Sequence, residues 1–410
     1  MEAPPAWLPL DLIVQVLTHS DPVTIARAAA TCKSVRGRVA GSDFRARLLR
    51  SAGADRFVVG IFYRQRTPWE KAVPPVRVSP LITPARPPNE RPPIPVASFM
   101  SRNTTTDLFA SHRLVASRDG LLALAPKRRA GEGHHQLMCV CDAVTGNRVS
   151  FPPPETPLVS GHLYVLLPLD DNNLLRLSSF KLLFADTYLS TQTFSSAERR
   201  WGPVTSNPDL PLHRHDTELA QRFPVVVGGV AYWLHKQILS KRGPFHVVAL
   251  DVRTGRGRSF EVPHYCLRRL AATFAYKDLH LARGPADEEG GGGKLILVVA
   301  EDNAFSAWTV PDDAEEGGRW TRSVLIDRAA ILRSVTPLLP NNPLGCQSLA
   351  FEWFGERTST IVLQMHGVGM LVWNLRTKQI HQLESSMSEY EFDILCPYEL
   401  DLESLFTAHI

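Results

Sequence analysis

Among 410 residues, the side chains able to do chemistry rarely stand at a spacing that chemistry can use. Gly290 to Lys294, "GGGGK", has the glycine run and lysine of a phosphate cradle. However, Leu295 occupies the place where Ser or Thr would hold magnesium, and the leading glycine is absent. The apolar run after Lys294 also reads as a strand, not as the helix whose N-terminus would receive a phosphate. His213-Arg-His215 and His134-His135 pair imidazoles in polar loops, with no Cys or carboxylate at zinc-site spacing. No Gly-x-Ser-x-Gly elbow is present to raise a nucleophilic serine. The expectation is a non-enzyme, with no catalytic residue, no cofactor and no metal.

Composition narrows the classes further. The net charge is +4, from 45 basic and 41 acidic residues, too even a balance for a nucleic-acid binder. Six cysteines, Cys32, Cys139, Cys141, Cys266, Cys346 and Cys396, are scattered along the chain and read as buried reduced thiols. The opening "MEAPPAWLPLD" has neither the basic nor the long apolar region of a secretory signal. The longest apolar run, "FPVVVGGVAYWL", is too short to span a bilayer. A place in the cytoplasm or nucleus, with no membrane association, is therefore expected. Trp201, Trp233, Trp308, Trp320, Trp353 and Trp373 read as packing between sheets before they read as a ligand cage.

The elements that would position these side chains fall into two unlike parts. Over residues 1–52 the periodicity is helical. Pro9 can open a first helix, along which Leu8, Leu12, Ile13, Val16 and Leu17 share one side. Asp21-Pro22 starts a second, carrying Ile25, Ala28, Ala29 and Cys32, and Ser42 or Asp43 caps a third bearing Phe44, Leu48 and Leu49. A unit of about 45 residues buries little of its own surface. Each large aliphatic side chain left in water forgoes about 1.5–3 kcal/mol, so this hook needs a second surface. Periodicity puts the rest of the chain first as that surface and another protein second.

The stretch resembles an F-box, the helical motif that docks on the Skp-type adaptor of cullin–RING ubiquitin ligases. The resemblance rests on Leu8-Pro9, Asp11-Leu12-Ile13, Val16-Leu17, Ile25, Arg27-Ala28, Cys32-Lys33 and Arg36. It implies an adaptor contact through Leu8, Pro9, Leu12, Ile13, Val16, Leu17, Ile25 and Cys32. Two positions depart from the pattern. Ser20 stands where the family has Leu, and Val35 where it often has Trp.

Residues 53–410 read as β. A Pro-rich segment over 68–95 leads in from an apolar strand, "RFVVGIFYRQ". Beyond it a turn recurs: Asp142-Ala-Val-Thr-Gly146, Asp251-Val-Arg-Thr-Gly255 and Asn374-Leu-Arg-Thr-Lys378. Asp or Asn can accept from the backbone two residues on, and Gly tolerates positive φ, so each closes a hairpin. Hairpins starting near Ser195 and Asp312 fill the gaps, giving intervals of about 53–62 residues. That period fits an irregular β-propeller of about six blades, the strands after Phe57 and the C-terminal segment completing the ring. Blades reading "SRDGLLAL…VCDAVTG" and "VALDVRTG" behind such a hook resemble the F-box-associated β-propeller proteins of plants.

The resemblance implies the substrate-recognition subunit of an SCF-type ligase. It would be bound to a Skp-type adaptor and through it to cullin, with a target protein held by the propeller. A propeller scaffold outside any ligase is the alternative. The tail from Glu384 to Ile410 has seven acids and no Lys or Arg, and reads as a solvated edge.

Overall fold

The structure, a computed structural model, describes residues 8–18, 20, 25, 28–29, 32–39, 41, 43–44, 47, 57–66, 77–78, 108–109, 111–127, 137–142, 147–155, 162–168, 179–186, 189–207, 217–219, 223–237, 244–268, 278–284, 293–301, 304–335, 349–365, 369–375, 378, 380–382 and 391–401.

The first helix, α1 (Leu10–Thr18), starts after Pro9, whose carbonyl accepts from Leu12 and Ile13. Ile25, Ala28 and Ala29 are helical, as is the stretch around Phe44, while Asp21, Pro22, Leu48 and Leu49 lie outside the described residues. A further helix, α2 (Lys33–Val39), begins at the residue after Cys32 and had no separate signal in the periodicity. Val14, Leu17, Ile25, Ala29, Val35, Val39 and Phe44 are buried.

The rest is antiparallel sheet. Val-, Leu- and Phe-rich runs bounded by turn formers become strands, as their composition dictates. The first are β1 (Phe57–Arg66) and β2 (Arg77–Val78), the latter inside the Pro-rich segment. Blade 1 holds β3 (His112–Arg118), β4 (Leu121–Pro126), β5 (Met138–Asp142) and β6 (Arg148–Phe151). Blade 2 holds β7 (Leu163–Pro168), β8 (Phe180–Ala185), β9 (Thr191–Ser195) and β10 (Arg200–Trp201). In blade 3, β11 (Thr217–Leu219) and β12 (Val225–Val227) pair with opposite ends of β13 (Val230–Gln237). Its remaining strands are β14 (Phe245–Asp251) and β15 (Gly257–Glu261). Blade 4 holds β16 (Leu279–Arg283), β17 (Leu295–Ala300), β18 (Ala304–Thr309) and β19 (Thr321–Asp327). A short helix, α3 (Arg328–Val335), follows and buries Ile331. Blade 5 holds β20 (Leu349–Gly355), β21 (Thr360–Met365), β22 (Gly369–Asn374) and β23 (Ile380–Gln382).

Finally β24 (Glu391–Asp401) pairs with β1 along its length, from Phe57↔Asp401 to Arg66↔Glu391, making a three-stranded sheet β2-β1-β24. Neighbouring sheets pack through β24 on β3, β3 on β7, β12 on β16, β16 on β20 and β20 on β24. Blades 2 and 3 share the apolar cluster of Leu163, Val165, Leu183, Trp233 and Val248. The result is a propeller-like ring. The count of about six blades is corrected to five, each of four or five strands. The remaining place is taken by the three-stranded sheet, in which β1 lies between β2 and β24 and so joins the start of the β part to the C-terminal segment.

All five recurrent turns join the last two strands of their blades. The turn chemistry is fully visible in blade 3. Asp251 Oδ1 accepts from the backbone N–H of Arg253 at 3.0 Å and Thr254 at 2.7 Å, and Gly255 adopts φ +71°. The Thr254 N–H leads the contacts that hold this carboxyl below its usual value. In blade 5, where Lys378 replaces the glycine, the lysine itself takes φ +58°.

Trp233, Trp308, Trp320, Trp353 and Trp373 are buried in the sheets. Half-buried Trp201 donates from Nε1 to the Pro152 carbonyl at 2.9 Å, joining blade 2 to the end of blade 1. The core reading of the tryptophans therefore holds for these six.

Candidate functional site

Two places gather side chains beyond what packing asks of them. The first is the outer flank of α1. Leu12 and Val16, four residues apart, share one side of the helix, and Leu8 stands just before its first turn. They are 67%, 48% and 66% exposed. Pro9 beside them is also exposed, and Ile13 is half-buried. Leu17 and Ile25, assigned to the same contact from the sequence, are instead buried inside the hook. Their place is explained by α1 packing on α2. Val35, the position where Trp is common, is also buried in the hook. Ser20 turns its hydroxyl back to the Val16 carbonyl at 2.9 Å.

Cys32 is exposed at the start of α2, whose Arg36 N–H bonds the Cys32 carbonyl at 2.9 Å. Its thiol is held below the ordinary value by the backbone N–H groups of Val35 and Ser34, as at other helix N-termini. Burial pushes Cys139 up to about 11 and Cys266 up to about 12, and Cys141 is raised further. Native protein treated briefly with iodoacetamide at pH 8 is therefore expected to alkylate Cys32 well ahead of these three. Peptide mass spectrometry reads the result, and equal labelling of Cys139 would contradict it.

The second place is a charged clasp where blade 1, blade 3, blade 5 and the terminal sheet meet. The β3–β4 turn presents Arg118 and Asp119, the latter at φ +47°. The β20–β21 turn presents Glu356, Arg357 and Thr358. Glu356 accepts from the Val226 N–H of blade 3 at 2.7 Å and pairs with Arg118 at 3.0 Å. Arg357 Nε donates to Asp119 at 3.2 Å. Glu399, on β24, is 6% exposed and accepts from the Thr358 N–H and hydroxyl, both at 2.7 Å, and from the Arg357 N–H at 3.0 Å. The charged side chains thus tie three blades to the strand that closes the ring. Burial pushes Glu399 up to about 7, against the pull of its Thr358 and Arg357 donors, and burial also raises Glu356.

A cavity of 30 Å³ lies at this junction, walled by Phe223, Pro224 and Trp353. That is room for one or two waters. The acidic tail was read as a solvated edge. Instead its residues 391–401 form the closing strand, and Glu399 is buried because its carboxylate finds donors inside the ring. Sequence reasoning missed Asp119, Glu356, Arg357 and Glu399. They come from turns and strands far apart in the chain, and the Asp119-Gly120 turn signal was the only local hint.

Leu295 does begin a strand, as its apolar run predicts, while Gly290 to Gly292 lie outside the described residues. The pairs His213/His215 and His134/His135 lie outside the described residues. Among the described residues no helix is long and apolar enough to cross a membrane.

Five blades and a clasped terminal sheet define a propeller-like protein. The chain belongs to the family described as Domain of unknown function (DUF7595), which matches residues 96–409. That match covers the five blades and β24 and starts beyond the helical hook. No curated protein matches the chain. Among solved structures, the crystal structure of the computationally designed Ika8 protein is 10% identical. It has a TM-score of 0.27 over 68% of this chain and 89% of that one, and at that score the likeness carries no argument.

Proposed function

We propose that this chain is the substrate-recognition subunit of an SCF-type ubiquitin ligase. The hook docks on a Skp-type adaptor and through it on cullin, and the propeller holds a target protein. The observation that carries this reading is the set Leu8, Leu12 and Val16, left in water while the opposite side of α1 is buried. Three large apolar side chains exposed on a short helix and its lead-in forgo several kcal/mol unless something covers them. The finer call of a three-helix F-box belongs to the same reading. Catalysis then rests with partner subunits, and this chain supplies proximity.

Full-length protein is expected to co-purify with a Skp-type adaptor, and Leu12→Asp or Val16→Asp to abolish it. Both side chains are exposed, so the hook should still fold in these variants. Undiminished co-purification of either variant refutes the contact face. Ser20, whose hydroxyl is spent on Val16 instead of offering apolar surface, supports a second reading: a scaffold that engages the adaptor weakly. Adaptor binding without cullin recruitment would select it.

A further inference from the structure

We infer that β24 is a pH-gated closing strand, latched shut while Glu399 holds a proton and loosened when that proton leaves. Consecutive blades are joined by the chain itself. The ring is closed by pairing alone, where β24 runs along β1 from Phe57↔Asp401 to Arg66↔Glu391 and rests on β3 and β20. Blades 1 and 2, blades 2 and 3, and blades 3 to 5 share apolar clusters. To its buried Tyr398 the closing strand adds a buried carboxylate, Glu399, held by the β20–β21 turn of blade 5.

Charge counting places the proton. The clasp gathers three carboxylates, Asp119, Glu356 and Glu399, against two guanidiniums, Arg118 and Arg357. Arg118 pairs with Glu356 at 3.0 Å and lies 3.8 Å from Asp119, while Arg357 Nε donates to Asp119 at 3.2 Å. Glu399 meets neutral donors, the N–H groups of Arg357 and Thr358 and the Thr358 hydroxyl. The neighbouring strands add no charge there: β1 sets Val59 opposite Glu399, and β12 offers the Val226 N–H to Glu356. With every carboxyl ionised, the cluster carries one uncompensated negative charge withdrawn from water, and a proton on Glu399 removes it. The 30 Å³ cavity beside it has room for one or two waters, too few to hydrate a free carboxylate. An ionised Glu399 is therefore better solvated with β24 displaced. Burial, helped by the Glu356 charge, holds this carboxyl up to about 7, so the latch works across neutral pH.

The test is amide exchange of the full-length protein at pH 6 and pH 8, read by mass spectrometry and corrected for the intrinsic pH dependence of exchange. The closed strand gives up its proton near 7 and the open one near the ordinary 4.5, so the opening constant should rise about tenfold between the two pH values. Peptides covering β1 and β24 should show that rise, and those covering β9 and β17 a clearly smaller one. Glu399→Gln, which cannot ionise, should abolish the rise in β1 and β24. A flat opening constant in wild-type β24 overturns the latch. So does an equal rise in all blades, which would mark a change in global stability alone, and so does a Glu399→Gln protein that keeps the rise. The comparison of β24 with β17 needs no variant, so it decides the matter even where Glu399→Gln fails to fold.

Discussion

Glu399→Gln is expected to melt a few degrees above wild type at pH 7.5 and to lose that advantage by pH 5.5. In the folded chain burial holds the Glu399 carboxyl up to about 7, whereas its ordinary value is 4.5. Between those values the folded chain keeps a proton that the unfolded chain releases. The contribution of this carboxyl to stability therefore falls as pH climbs through the window from about 4.5 to 7, and levels off once both states are ionised. The whole window is worth on the order of 3 kcal/mol, of which about 2 kcal/mol lies between pH 7 and 5.5. Glu356, also raised by burial, adds a slope of the same sign, while burial lowers His235 to about 4 and His280 to about 3 and so adds slopes of the opposite sign; all three survive in the variant and cancel in the comparison. Asp251, held below its usual 3.8, titrates beneath this range. Glutamine mimics the protonated side chain, so Glu399→Gln should match wild type near pH 5.5 and exceed it at pH 7.5. Superimposable pH–melting profiles for the two proteins would show that Glu399 is not the titrating group.

What the sequence made legible and what it concealed divide along a physical line. Local chemistry was readable. The Asp251 turn could be written down from its residues, because the acceptor, the donors and the positive-φ glycine lie within five positions. Five hairpins at a similar interval were readable too, although the count of about six blades drawn from them was one too many. The burial of Trp233 and Trp373 followed from their place in β-type runs. Relations set by tertiary register were not readable. His235, His246 and Glu261 stand at intervals that say nothing of their neighbours, and only the pairing of β13, β14 and β15 lines them up. Likewise Glu399 belongs to a tail whose composition says solvent, yet it meets donors supplied by a turn some forty residues earlier. In the hook the helical period grouped Leu8, Leu12, Ile13, Val16 and Leu17 together. Which of them face water depends on where α1 meets α2, and that contact divides the set.

Gly355→Ala is expected to lower stability by about 2–4 kcal/mol, far more than a methyl group on a strand usually costs. Gly355 is the last residue of β20 and lies under the Glu399 carboxylate. A Cβ there would sit 2.5 Å from Glu399 Oε1, 2.6 Å from Thr358 Oγ1 and 2.9 Å from Glu399 Cδ. None of these atoms is the loose end of a surface side chain. Glu399 is buried and held by the Thr358 and Arg357 N–H groups, so it can yield only by giving them up. Three buried donors would then lose their acceptor, and β24 would lose its tie to blade 5. The damage should be local at first: amide exchange along β1 and β24 should quicken more than exchange in β13 or β17. Gly37→Ala is the control, because a Cβ at that position meets nothing and alanine favours a helix. It should melt at or slightly above wild type. Pairing Gly355→Ala with Glu399→Ala separates clash from any unrelated strand effect. If the collision is the cause, the double variant should cost clearly less than the two single costs added together. Strict additivity, or a Gly355→Ala protein as stable as wild type, would mean that the glycine does not make room for the clasp.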